Sequence, residues 1–226
     1  RKVGDMELFL EDLQGRGLPC TDILDIGANH AKWSSLALNY FPNAACYLIE
    51  PQVDLVDDLK AFCNIHNRSK YFNVGLGSKK GKCLLTKGTG GNDGAANLLT
   101  QEKAAYVKSG EQYEVELTTV DELIEDGKIQ IPQIVKIDVQ GFELEVLKGA
   151  SSILGQTEIF IIEVSLFRFF EGMPLFHEVI EFMTKNGYVA YDFPGFGRRP
   201  YDGAVGQIDI SFVRENGFLR SNSSAW

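Results

Sequence analysis

The chain has 226 residues, 44% of them hydrophobic and 23% charged, which suits one folded globular α/β domain with a substantial core. A formal net charge of −9 argues against a nucleic-acid partner, since phosphate binding favours a basic face, and the pairs Lys79-Lys80 and Arg198-Arg199 extend into no run. No apolar stretch reaches membrane-spanning length and no signal pattern opens the chain, so a cytoplasmic protein with no membrane span is expected, its scattered Cys20, Cys46, Cys63 and Cys83 reduced.

Residues 3–14 place Val3, Met6, Leu8, Phe9, Leu10 and Leu13 as in an amphipathic helix, ended by Gly15 and Gly17. Residues 1–20 are therefore expected as an N-terminal helix packing on a domain that spans 21–226. Residues 21–26 read as a buried strand, followed by a glycine turn and a helix over 31–40. A second apolar run, 44–49, ends in Glu50, and a helical pattern covers 52–66. Residues 71–76 read as the third strand and 81–86 as a short extra one. The stretch GTGGNDG at 88–94 is a loop; 113–119 alternates as an added strand and 120–125 starts a short helix.

Residues 132–139 form a central strand whose apolar run is interrupted by Lys136 and Asp138. A helix over 141–150 follows, then a near-continuous apolar strand at 158–164, as in a buried parallel sheet. Residues 175–185 are helical and are stopped by Gly187. The last two strands, 188–193 and 208–213, are joined by a Gly/Pro/Arg-rich loop over 194–206. A parallel crossover normally needs a helix, so these two are expected to be antiparallel. The sum is one Rossmann-like domain: a mostly parallel sheet of seven main strands with an antiparallel last strand, plus small added strands.

Asp25-Ile26-Gly27-Ala28-Asn29 at the end of the first strand and Glu50-Pro51 at the end of the second carry the ligand chemistry. An acidic residue at the second strand tip of a βαβ unit holds an adenosine ribose by its hydroxyls. The second glycine that would let the backbone touch a pyrophosphate is absent, and Asn29 stands there. A nucleoside without phosphates fits better, S-adenosylmethionine being the common one. An NAD-dependent oxidoreductase is disfavoured for the same reason.

Two blocks resemble the FkbM family of S-adenosylmethionine-dependent methyltransferases. One is Asp25 to Ser34 with Glu50-Pro51; the other is Lys136-Ile137-Asp138-Val139-Gln140-Gly141-Phe142-Glu143, continuing to Ala150. Thr118-Thr119-Val120-Asp121 between them is similar to the family as well, which more often has Gly where this chain has Ala31. The resemblance implies a class I methyltransferase fold and methyl transfer to a hydroxyl of a sugar, glycan or natural product. A non-catalytic domain that binds the cofactor within a larger assembly is the other class; the set Asp25, Gly27, Glu50 and Asp138 argues against it. Exocyclic-amine methyltransferases generally show a Pro-Pro-aromatic run after the central strand, and Val139-Gln140-Gly141 stands here.

Each site residue then has an expected role. Gly27 permits the tight turn; Asp25 orients that loop or meets the methionine ammonium through water; Ala28 and Asn29 offer backbone groups. Glu50, beside Pro51, takes the ribose hydroxyls, and Asn73, Val74 and Gly75 border the adenine. Asp138, Glu163 and Glu143 are the catalytic candidates. Against them stand bland roles: a Lys136–Asp138 structural pair, a loop cap for Glu163 and a helix-dipole role for Glu143. His177, Arg199 and Tyr201 are the candidate acceptor contacts, and His30 is near enough in sequence to approach the methyl donor. No metal is expected, because no histidine has ligand spacing and two carboxylates alone make a weak site.

Overall fold

A computed structural model describes residues 2–87, 94, 96–98 and 112–222. Its main sheet has seven strands: β1 (Asp22–Ile26), β2 (Ala45–Ile49), β3 (Lys70–Phe72), β7 (Ile134–Ile137), β8 (Ile159–Ser165), β9 (Tyr188–Arg198) and β10 (Val205–Arg214). They lie in the order β3-β2-β1-β7-β8-β10-β9. The pairs from β3 through β8 are parallel, and β10 runs antiparallel to both β8 and β9. The antiparallel strand expected near 208–213 is therefore present, slotted between β8 and β9.

Among the described residues six α-helices cover the two faces: α1 (Met6–Gly15), α2 (Lys32–Tyr40), α3 (Val56–Ile65), α4 (Val120–Glu125), α5 (Glu143–Lys148) and α6 (Phe176–Lys185). Strand alternation sorts the core into two layers. Ile23, Cys46, Leu48, Ile134 and Ile161 point to one face, where Phe9, Leu10 and Leu13 of α1 meet Leu38 of α2 and Leu59 of α3. Leu24, Ile26, Ile49, Val135 and Phe160 point to the other, against Leu123 of α4, Val146 and Leu147 of α5 and Met183 of α6. Helix α1 begins with Asp5, whose carboxylate accepts from the Leu8 N–H at 3.2 Å and satisfies one orphan donor of the first turn.

Two expectations are corrected. Residues 71–76 do not form one strand. Lys70–Phe72 pairs with β2, while Gly75–Leu76 (β4) leaves the sheet and pairs with β6 (Gln112–Thr118). Between them the Asn73 amide donates to the Glu50 carbonyl at 2.8 Å, which turns the chain. At Gly75 a Cβ would stand 2.6 Å from Leu117, so the missing side chain admits the new partner. With β5 (Gly81–Thr86), antiparallel to β6, these strands make a small second sheet over the carboxyl end of the main one. The loop expected at 194–206 is also mostly strand. β9 and β10 extend into a long hairpin, and only 199–204 form the connection. Gly195, which read as part of the loop, is there because the ladder is crowded: a Cβ on it would stand 2.1 Å from the Asp209 carboxylate. The 88–94 loop, Gly94 excepted, lies outside the described residues.

The chain order reverses between β1 and β7, which connect to neighbours on opposite sides. Ligands of such sheets bind at that crevice, outside the carboxyl ends of the strands.

Candidate active site

At the end of β1 the chain turns through Gly27, at φ 83, and its N–H and that of Ala28 both donate to the Ile49 carbonyl, at 2.9 and 3.0 Å. A Cβ on Gly27 would stand 1.9 Å from the Asp138 carbonyl oxygen, so only glycine fits between β1 and β7. Asn29 (φ 49) and Ala31 (φ 55) both occupy the left-handed region, which explains why a glycine is at home where Ala31 stands. The Glu50 carboxylate closes the turn: one oxygen accepts from Asn29 N–H and the other from Gln52 N–H, both at 2.9 Å. Burial raises its pKa, against the lowering effect of those two backbone bonds.

Gly27, Asn29, Glu50, Pro51 and Gly75 line the resulting crevice. Asp25, Ala28, Asn73 and Val74 are not part of its lining. Asp25 is buried and accepts the Ser34 hydroxyl proton at 2.5 Å, so it holds the start of α2. Burial pushes its pKa up to about 6. Ala28 is buried in the core and Val74 packs against the α4–α6 layer. The residues missed by sequence reasoning are Leu85, Asn97 and Leu98, which the small sheet and its bridge to Thr86 carry over the crevice. No local pattern marks them. Two carboxylates, Glu50 and Asp138, line the crevice, and no Lys or Arg does among the described residues.

Beside it lies a charged cluster. Lys136 is 4% exposed in the centre of the sheet, its Nζ 3.3 Å from Asp138 Oδ2 and 3.0 Å from Asp209 Oδ1. Burial works against this ammonium, but the charges of Asp138 and Asp209 outweigh it and hold its pKa above the ordinary range. Glu163 pairs in register with Asp209, and its Oε2 accepts from Gln140 Nε2 and Gln207 Nε2, both at 2.6 Å. Gln140 Nε2 also reaches Asp138 Oδ1 at 2.8 Å. Burial, and then the Asp138 charge, push the Glu163 pKa up to about 9. The Lys136–Asp138 pair weighed from spacing is thus present, but Lys136 is shared with Asp209, and Gln140 and Gln207 complete the group. Glu143 is not part of it. Its buried carboxylate accepts from the Gly141 N–H at 2.8 Å and stands behind the turn, off the crevice wall, with burial raising its pKa to about 7. Among the described residues no group of three or more His, Cys, Asp or Glu is placed to hold a metal.

The family model for the methyltransferase FkbM domain matches residues 25–190. The chain belongs to the FkbM methyltransferase family. Hexuronic acid methyltransferase AglP of Haloferax volcanii is 48% identical over 44 residues, a match that spans 20% of this chain and 18% of that protein. Solved structures share the fold at low identity. Fibrillarin of Methanococcus jannaschii superposes with a TM-score of 0.52 at 14% identity, over 86% of this chain and 66% of that one. The O-methyltransferase TomG of Streptomyces achromogenes, solved with S-adenosylmethionine, gives 0.51 at 9% identity, over 92% and 78%.

This FkbM methyltransferase has a second cavity, of about 500 Å³, that shares Gln140 with the crevice and adds Phe169, Arg198, Arg199 and Gln207. The Arg199 guanidinium lies 4.1 Å from the Phe167 ring centroid and 5.7 Å from that of Tyr201. Two of the three expected acceptor contacts, Arg199 and Tyr201, are therefore together; His177 is exposed on α6 and lines neither cavity. His30 turns toward α3, its Nδ1 2.5 Å from Asp58 Oδ2. All four cysteines are free, and no helix of the described residues is long and apolar enough to cross a membrane.

Proposed function

We propose that this methyltransferase transfers the methyl group of S-adenosylmethionine to a hydroxyl oxygen of a sugar, glycan or natural product. The observation that carries the donor side is the sign of the crevice. Two carboxylates, Glu50 and Asp138, at the tips of the strands on either side of β1, with no facing cation among the described lining, suit a cationic nucleoside and repel a pyrophosphate. Bound there, S-adenosylmethionine supplies an activated methyl group on a sulfonium. Each Glu50 oxygen accepts one backbone N–H and keeps a lone pair for a ribose hydroxyl. Ile26, Ile49, Leu76, Leu85 and Leu98 give the base an apolar wall.

The acceptor hydroxyl must lose its proton as its oxygen gains the methyl group. Asp138 is the residue placed to take that proton, because it lines the crevice, its side chain is one-third exposed, and Lys136 compensates its charge. Glu163, held protonated near neutral pH, is a hydrogen-bond partner rather than a base. The short match to a hexuronic acid methyltransferase supports a sugar acceptor, and the net charge of −9 weighs against nucleic acid.

Calorimetric titration with S-adenosylmethionine and with NAD tests the donor. The former should bind with a Kd on the order of micromolar and the latter not at all. Glu50→Ala should weaken the former by roughly 1–3 kcal/mol, since it strips a buried acceptor from the ribose hydroxyls. Unchanged affinity in that variant, with a normal melt, would put the ribose elsewhere. Methyl transfer to a panel of hydroxylated sugars and polyketides, read as S-adenosylhomocysteine release, separates an enzyme from a binding domain.

A further inference from the structure

The outer cavity carries the opposite sign from the crevice. It is lined by Arg198 and Arg199, the one adjacent arginine pair in a chain of net charge −9. A hollow that shares Arg199 adds Arg168 and Tyr201. Arg199 is set in place from two sides. Its guanidinium faces the Phe167 ring, and its stem passes Gly206, where a Cβ would stand 2.9 Å from Arg199 Cγ and 3.1 Å from the Phe169 ring. Glycine at 206 is what lets the arginine and the phenyl ring meet over β10.

The local acid is modest. Arg199 Nε lies 3.4 Å from Asp202 Oδ1, and Arg198 Nη1 donates to the Gly203 carbonyl at 2.9 Å. A guanidinium has five donors in a planar fork, so both side chains keep donors beyond these bonds. At its inner end the cavity is bounded by Gln140 and Gln207, the two amides that bond Glu163 beside Asp138. A ring seated in the cavity therefore meets the arginines at one end and the Asp138 cluster at the other.

We propose that this cavity is the acceptor subsite and that it selects a hydroxylated ring bearing one anionic group, a carboxylate or a phosphate, held by Arg198 and Arg199. The inference rests on the methyl-transfer reading above and narrows its acceptor. Fork-to-fork bonds from arginine fix an anion in orientation as well as in place, and the Phe169 and Phe170 rings of the lining take the apolar face of the sugar. The acidic crevice and the basic cavity then sort a cationic donor from an anionic acceptor on either side of Gln140.

The test uses the whole protein, with and without S-adenosylhomocysteine, titrated with glucose, glucuronate and glucose 6-phosphate at low ionic strength and followed by chemical-shift changes. At least one anionic probe should bind about tenfold more tightly than glucose. The ratio between the two tells carboxylate from phosphate. The double variant Arg198→Met/Arg199→Met should erase the preference while S-adenosylhomocysteine affinity stays within about twofold, and Arg199→Lys should restore only part of it. Glucose binding as tightly as both anions, no binding of any probe, or a preference that survives the double variant would each overturn the inference. The S-adenosylhomocysteine titration is read separately. A protein that binds it without anion preference sinks the subsite alone; a protein that fails to bind it sinks the methyl-donor reading beneath.

Discussion

Gln140 stands in the left-handed region at φ 51, an uncommon place for a residue with a Cβ, and its amide links Asp138 to Glu163. That bond positions Asp138 at the crevice wall, beside the Gln140 that the two cavities share. Asp138→Asn should lower kcat by roughly 10²–10⁴-fold, far more than it weakens donor binding, because the amide keeps the shape but takes no proton. Single-turnover methyl transfer checks this, and a near-normal rate would move the base elsewhere. Glu163 makes a separate, pH-dependent prediction. Its pKa is held at about 9 against an ordinary 4.5, so between those values the folded protein binds a proton that the unfolded chain has lost. This contribution to stability is full below pH 4.5 and is lost as pH rises through 9. Asp25 (about 6) and Glu143 (about 7) act in the same direction but finish lower. Wild-type Tm should therefore fall between pH 7 and 9, and Glu163→Gln should flatten that segment; parallel slopes in the two proteins would assign the decline to another group.

At the scale of elements, the β9–β10 hairpin places Asp209 and Gln207 beside Glu163 and delivers the arginines. Gly195 is the point where the hairpin tolerates no side chain. A methyl group there would push the Asp209 carboxylate off Lys136, so Gly195→Ala should destabilise by roughly 1–3 kcal/mol, the range for overpacking. In an Asp209→Ala background the same change should be nearly neutral, because the obstacle is gone. Urea melts of the four proteins measure the coupling, and additive effects would show that Gly195 matters for another reason. The hairpin also shows where sequence reading stops. Residues 188–193 and 208–213 read as strands, but Gly195 and Gly206 hid their extension, since glycine in a loop and glycine under a crowded ladder look alike. The split at 73–75 was hidden for a similar reason: one apolar run served two sheets.

For the whole molecule, α1 is one side of the core rather than an appendage. Phe9, Leu10 and Leu13 are each at most 1% exposed, and each such burial is worth about 1.5–3 kcal/mol. That sum is comparable to the entire stability of a typical domain. Deleting residues 1–17 should therefore abolish cooperative unfolding, where calorimetry of the full chain should give a single transition. A shortened protein that melts normally would make the helix dispensable.

The βαβ unit, Gly27, Glu50 and the Lys136-to-Ala150 block were legible because each depends on neighbours in the chain: a strand period, a turn that needs glycine, an acid at a strand tip. What tertiary structure alone decided was which distant residues close the site. Leu85, Asn97 and Leu98 reach the crevice through the small sheet, Asp209 and Gln207 reach Lys136 and Glu163 through an antiparallel strand, and Glu143, near them in sequence, is turned behind the wall. Strand order and register set those meetings, and they arise from long-range pairing that no local pattern of residues encodes.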